Sequence, residues 1–315
     1  MAGRLGIDVS VSRGSLHVLA AGVVAATVAA LALSGYAGGQ AGEAEADKGG
    51  RTENTCLDRQ TARRKLFCPD LKMRKPFALD RDVVNGIPVL RAANSIDSVG
   101  DGPAELIGNR DGPRSMKAKQ KIYRRGGGRI LRKTHAELYF KSIPGQGRYW
   151  KFEHAAKFRL HRLNKNGNRV ELVEIGPKQT YCLRDLEHSH PGLRNSPNGR
   201  VYPACSQSSS RQHEQLGTSV GWSDVYPSTY HQNWIELNDI PKRGCYAFVH
   251  EADPKNGIFE RNERNNEAST VVFLTRNGKY LPGRCQGVRD KALPAEQTAD
   301  DTEVSDREPI VWGGY

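Results

Sequence analysis

The stretch Tyr149-Trp-Lys-Phe-Glu-His-Ala-Ala-Lys-Phe-Arg-Leu160 decides how the fold is read. Its even positions are mostly apolar and its odd positions mostly polar. A period of two belongs to a strand with one face in a core, whereas a helix repeats its apolar positions every three or four residues. Lys165-Asn-Gly167 follows as a turn signal, and Arg169–Glu174 then alternates again.

Shorter runs of the same kind recur outward in both directions, at Pro88–Ala92, Glu137–Lys141, Trp234–Leu237, Cys245–His250 and Ser269–Thr275. Turn residues separate them: Asn85-Gly86, Gly100-Asp-Gly-Pro103, Gly126–Gly128, Pro197-Asn-Gly199, Lys255-Asn-Gly257 and Asn277-Gly278. No window of about fifteen residues carries a sustained helical pattern. The expected class is all-β: a single antiparallel β-sandwich with long irregular loops. The longest of these loops, about 184–233, is rich in Ser, Pro, Asn, Gly and His, and a loop of that length is functional or tied by a disulfide.

Six cysteines, Cys56, Cys68, Cys182, Cys205, Cys245 and Cys285, include no Cys-x-x-Cys pair. They read as disulfides formed in an oxidising compartment rather than as a zinc site. Fifteen connectivities exist for six cysteines; proximity in the chain favours 56–68, 182–205 and 245–285.

The N-terminus agrees with export. Arg4 and Arg13 precede an uncharged run whose apolar heart is Leu16–Leu33, and small residues follow it. That is the layout of a signal peptide over residues 1–41, with an uncleaved membrane anchor as the alternative. Residues 42–54 read as a disordered linker, 55–288 as one domain, and 289–315 as a disordered acidic tail. The chain carries a formal net charge of +12, although Asp290–Tyr315 alone holds seven acids against two bases. Arg114–Lys133 holds nine bases and no acid. Its one aromatic, Tyr123, is too little for a nucleic-acid platform, so the segment reads as a solvated basic hairpin, with an anionic cell-surface polymer as its alternative partner.

Two motifs carry chemistry. Gly176-Pro-Lys178 stands four residues before Cys182-Leu-Arg-Asp185, and seven residues separate Gly221-Trp-Ser-Asp224-Val-Tyr226 from Trp234. With Asn233–Ile240 and Phe259–Asn266, these resemble the lysyl oxidase family in residue type and spacing, and the likeness extends more weakly from about Phe67 to Thr275. The resemblance implies an extracellular amine oxidase acting on lysyl or other primary amines. It implies a lysine tyrosylquinone built from Lys178 and Tyr226, with copper as the metal that makes the quinone. Asp224, two residues from Tyr226, is the candidate base. The resemblance also implies that Lys178 and Tyr226 approach around one shallow pocket lined by Asp224 and Trp234.

One family feature is missing. The copper ligands of lysyl oxidases form His-x-His-x-His, and the matching positions here are Gly147, Tyr149 and Lys151. His188-Ser-His190 with His231, or with His213, is the one alternative set of imidazoles for copper. A calcium site is implied as well, from Asp70 and Leu71 near the domain start and Glu260, Asn262, Asn265 and Asn266 near its end; Asn262 stands where the family has Asp. Two functions therefore remain open at this point: a copper/quinone amine oxidase, or a catalytically inactive lysyl-oxidase-like sandwich that binds an anionic wall polymer or a protein. No nucleic-acid partner is expected, and membrane contact only through the N-terminal segment.

Overall fold

The structure is a computed structural model that describes residues 54–293 except 144 and 146. The expected leader, most of the linker and nearly all of the acidic tail lie outside the described residues. One short helix, α1 (Arg59–Lys65), is followed by fifteen strands: β1 (Leu66–Phe67), β2 (Leu71–Met73), β3 (Phe77–Val84), β4 (Ile87–Ser98), β5 (Ala104–Arg110), β6 (Ser115–Arg124), β7 (Arg129–Ile143), β8 (Gly147–Leu163), β9 (Arg169–Ile175), β10 (Gln179–Tyr181), β11 (His213–Thr218), β12 (Ser223–Tyr226), β13 (Trp234–Glu236), β14 (Gly244–Ala252) and β15 (Glu267–Leu274).

The strands form two antiparallel sheets. The larger runs β11-β5-β6-β7-β8-β14-β15, with β1 added on β6 and with β9 and β10 on β8. The smaller gathers β2, β3, β12 and β13 around β4. Strand β8 organises the larger sheet. It pairs with β7 through Leu138↔Phe152, with β14 through Phe248↔Leu160, and with β10 through Tyr181↔Phe152. Trp150, Phe152, Phe158 and Leu160 are buried as the alternation requires. They share one core with Leu71, Met73, Leu90 and Ile96 of the smaller sheet, so the sheets pack face to face.

Turn chemistry shapes the ends of strands. Asn85 and Gly86 both have positive φ, 52° and 84°, as the two-residue hairpin joining β3 to β4 requires. The Arg114–Lys133 segment forms the β6–β7 hairpin, and its exposed Lys119 and Lys133 are directly opposed across the ladder. The three disulfides are Cys56–Cys68, Cys182–Cys205 and Cys245–Cys285.

Two details differ from the sequence reading. The 184–233 segment is not a continuous loop, since it contains β11 and β12. The sequence of β11, His-Glu-Gln-Leu-Gly-Thr, has too few apolar residues to alternate, and pairing with β5 makes it a strand. Helix α1 was not anticipated. It is too short to stand on propensity. Asp58 caps its start, accepting the Gln60 N–H at 3.1 Å, and the Cys56–Cys68 bridge and β1 hold its two ends.

Candidate functional site

The Cys182-Leu-Arg-Asp185 motif is a structural staple. Asp185 is fully buried and accepts hydrogen bonds from the backbone N–H groups of Val201 (2.8 Å), Tyr202 (3.1 Å) and Ser219 (2.7 Å), and from the Ser219 hydroxyl (2.8 Å). It thereby locks the start of the long connection to its return. Together with the Cys182–Cys205 bridge, this presents β10 and its exit toward β12.

Tyr226 lies at the end of β12 and is buried. Its hydroxyl donates to the Cys182 carbonyl oxygen at 3.0 Å, and its ring stacks on Tyr181 at 4.0 Å. Tyr230 meets it edge-on at 4.5 Å. Burial raises the pKa of all three phenols, so they stay protonated near neutrality.

Lys178 immediately precedes β10, so it lies on the segment that adjoins Tyr226. The two side chains are engaged separately, however. The Lys178 ammonium is about half exposed and pairs with Glu153 of β8. Among the described residues, no hydrogen bond or ring contact joins Lys178 to Tyr226. Trp234 starts β13 and is half-buried; its carbonyl presses on Gly176, where an added Cβ would lie 2.8 Å from that oxygen.

Asp224 is fully buried beside this tyrosine cluster. Burial pushes its carboxyl well above the ordinary range, against the pull of Arg184, Tyr226 and Lys151 nearby. The Tyr226 hydroxyl hydrogen is already given to Cys182, and neither Asp224 oxygen has a hydrogen-bond partner. Burial thus favours the protonated form of this carboxyl.

Lys151, which the family resemblance puts at the metal's position as a fixed positive charge expected to pair with Asp224 or Glu153, pairs instead with the Tyr230 hydroxyl. It projects from β8 into the interior and is 2% exposed. Its ammonium donates to the Tyr230 hydroxyl at 2.8 Å and lies 5.2 Å from the Tyr149 ring centre. Burial draws its pKa down to about 8, although Asp224 pulls the other way. Arg184 and Lys141 add further positive charge nearby.

The family's copper does not fit this arrangement. At the three matching positions, Gly147 has no side chain, Tyr149 offers a phenol and Lys151 a buried ammonium. A site for a divalent cation needs lone pairs where Lys151 presents positive charge. The alternative histidines do not assemble either. His188 stacks on Trp222 at 4.4 Å and bonds the Ser196 hydroxyl at 2.8 Å. His190 pairs with Asp97 at 3.2 Å. His231 lies instead in the surroundings of Lys141, Arg91 and Lys151, and His213 bonds Asn109 at 2.9 Å at the exposed start of β11. Among the described residues, no three His, Cys, Asp or Glu side chains are gathered as a ready metal-ligand set, so a cation site here has to draw on amide and carbonyl oxygens as well.

The residues implied for calcium do meet. Asp70 and Glu260 are buried, although 190 positions separate them. Asp70 accepts from Asn265 Nδ2 (2.7 Å) and from Arg261 (2.8 Å); Glu260 accepts from Asn266 Nδ2 (2.9 Å) and from the Leu71 N–H. Asn262 turns away, its Oδ1 accepting the Arg264 N–H at 3.1 Å. The neighbouring Glu263 faces inward, bonded to Asn54 at 2.7 Å. Three buried oxygens here have no partner: Asn265 Oδ1, Asn266 Oδ1 and Glu263 Oε2. This donor set is amide and carboxylate oxygen, chemistry that suits a hard cation.

The chain is thus an antiparallel β-sandwich that carries a lysine just before a Cys-Leu-x-Asp staple, next to a buried Asp-x-Tyr strand. The sequence model of the lysyl oxidase family matches residues 117–281, more than half of the chain, and the chain belongs to that family. No curated protein matches it.

Proposed function

We propose that this chain is an extracellular lysyl-oxidase-fold binding module that does not assemble the copper and quinone centre of its family. The observation that carries this reading is the buried Lys151 ammonium on the Tyr230 hydroxyl, at a position where the family places a copper imidazole. With that charge in place, Tyr226 is an ordinary buried phenol bonded to Cys182, and Lys178 a surface lysine paired with Glu153. Three disulfides fit an oxidising compartment, which supports secretion. The positive charge of the chain supports an anionic cell-surface or matrix polymer as partner, and it disfavours a polycationic lysyl substrate.

The test is quinone staining of purified, copper-reconstituted protein beside its Tyr226→Phe variant. We expect no redox-cycling stain in either, with copper well below one per chain. A stain in the wild type that vanishes in the variant would establish an amine oxidase instead.

We also propose that Asp70, the Leu71 carbonyl, Glu260, Asn265 and Asn266 hold calcium, with Glu263 supplying the carboxylate that Asn262 lacks. The three partnerless buried oxygens support this. The ion would tie the start of the domain to the turn before β15.

A further inference from the structure

A cavity of about 200 Å³ opens between α1 and the Arg261 turn, away from the tyrosine cluster. Its floor is apolar, formed by the Cys56–Cys68 disulfide and Leu66. Its rim carries Arg59, Arg63 and Arg261, with Asp101 as the single acid. Asp101 is already matched by Arg125 at 2.7 Å and by Arg261 at 3.5 Å. Arg59 and Arg63 sit one helical turn apart on α1, both exposed, and have no hydrogen bond or ion pair among the described residues. More positive charge continues outward, with Arg64 and Lys65 ending α1 and Arg124 and Arg125 beside them across the β1–β6 pairing.

The cavity is built rather than incidental. The disulfide fixes α1 at one end, and β1 fixes it at the other through Leu66↔Arg124. The loop carrying Asp101 is seated hard on the same backbone: the Asp101 and Gly102 N–H groups both donate to Cys68 O, and a Cβ on Gly102 would collide with the Phe67 carbonyl oxygen. Unpaired guanidiniums held over an apolar floor match a ring with an anionic substituent. The ring face packs on Leu66 and the disulfide, while the fork geometry of arginine takes a carboxylate, sulfate or phosphate with two hydrogen bonds. No aromatic ring lines the cavity, so it lacks the stacking platform that single-stranded nucleic acid uses. The space is small beside pockets for drug-sized ligands, and holds one sugar ring.

We propose that this cavity seats one acidic sugar residue of an anionic polysaccharide, whose chain continues over Arg64, Lys65, Arg124 and Arg125 beside it. The proposal rests on the binding-module reading and names its site.

The experiment measures binding of an oligogalacturonate by calorimetry, with inorganic phosphate and single-stranded DNA as parallel probes. The Arg59→Ala/Arg63→Ala variant is compared with Lys119→Ala/Lys133→Ala, which removes the same charge from the β6–β7 hairpin. All four residues are exposed, and circular dichroism checks that both variants fold. We expect the α1 variant to weaken oligogalacturonate binding roughly tenfold or more and to lower the salt dependence, and the hairpin variant to change it less than about threefold. Equal weakening by both variants would mean diffuse charge, overturning this site while leaving the binding module intact. Phosphate bound in the cavity without the oligomer, or DNA bound equally well, would overturn the polysaccharide assignment. A wild type that binds no polymer would overturn both this inference and the binding function.

Discussion

Lys151 of β8 reaches the Tyr230 hydroxyl at 2.8 Å, beside an Asp224 carboxyl that enters from the facing sheet and has no hydrogen-bond partner of its own. A cation and a carboxyl thus share a buried site without forming a direct salt bridge. Its pH response follows. The folded Lys151 pKa is about 8, below the unfolded value of 10.5, so in that window the unfolded chain binds the extra proton. Stability from this group therefore rises as pH increases from about 8, by up to about 3 kcal/mol. Above about pH 10 the sign reverses, because Tyr181, Tyr226 and Tyr230 ionise first in the unfolded chain. Denaturant unfolding between pH 7 and pH 11 should show a maximum, and Lys151→Met should lack the rising limb. A steady decline from pH 7 in the wild type would contradict the burial of this lysine.

Asp97 behaves in the opposite sense. Burial raises its pKa, but the His190 hydrogen bond and the Arg74 guanidinium outweigh burial and hold it at about 2. Its contribution is complete above the unfolded value of 3.8 and fades as pH falls through about 2. Asp97→Asn should cost about 2–3 kcal/mol at neutral pH, and the gap to wild type should close between about pH 4 and 2. A gap that stayed constant on acidification would show that packing, not charge, is lost.

Calcium should stabilise the protein. At a concentration a hundredfold above Kd the gain is about 2.7 kcal/mol, and a chelator should reverse it. Glu263→Gln should reduce the calcium-dependent melting shift more than Asn262→Ala, since Glu263 faces the cluster and Asn262 faces the Arg264 backbone. The reverse order would place the missing charge at Asn262 after all.

Tyr226→Phe removes one buried hydroxyl and leaves the Cys182 carbonyl without its donor. The expected cost is about 1–2 kcal/mol, with disulfides and circular dichroism unchanged. A much larger loss would mean that the phenol organises more than this one bond.

Much of this is legible in the sequence itself. The Tyr149–Leu160 alternation predicted the strand at the centre of the larger sheet, because the pleat makes side-chain facing a local property. Short separations favoured the three disulfides that form. The spacing of Lys178, Asp185, Asp224 and Tyr226 marked the family, since motif spacing survives where overall likeness fades. Strand β11 escaped notice because its burial comes from its partner β5 and not from its own residues. The Arg59–Arg63 cavity escaped because α1 exists only where a disulfide and a strand hold it.

By itself, the sequence determined that imidazoles are absent at Gly147, Tyr149 and Lys151, and that a lysine and a tyrosine stand at the family's cross-linking positions. Only the tertiary structure decided which charges go inside. Lys151 and Lys178 are both lysines on or beside strands, and nothing local separates them. Lys151 is covered by the facing sheet and by Tyr230, whereas Lys178 lies at the surface and is answered by Glu153. The meeting of Asp70 with Asn265, like the cavity beside Arg261, also joins distant parts of the chain. Residue periodicity is set by neighbours along the backbone, but burial and desolvation are set by whatever the nonlocal pairing brings across, and that is where the chemistry of this site was fixed.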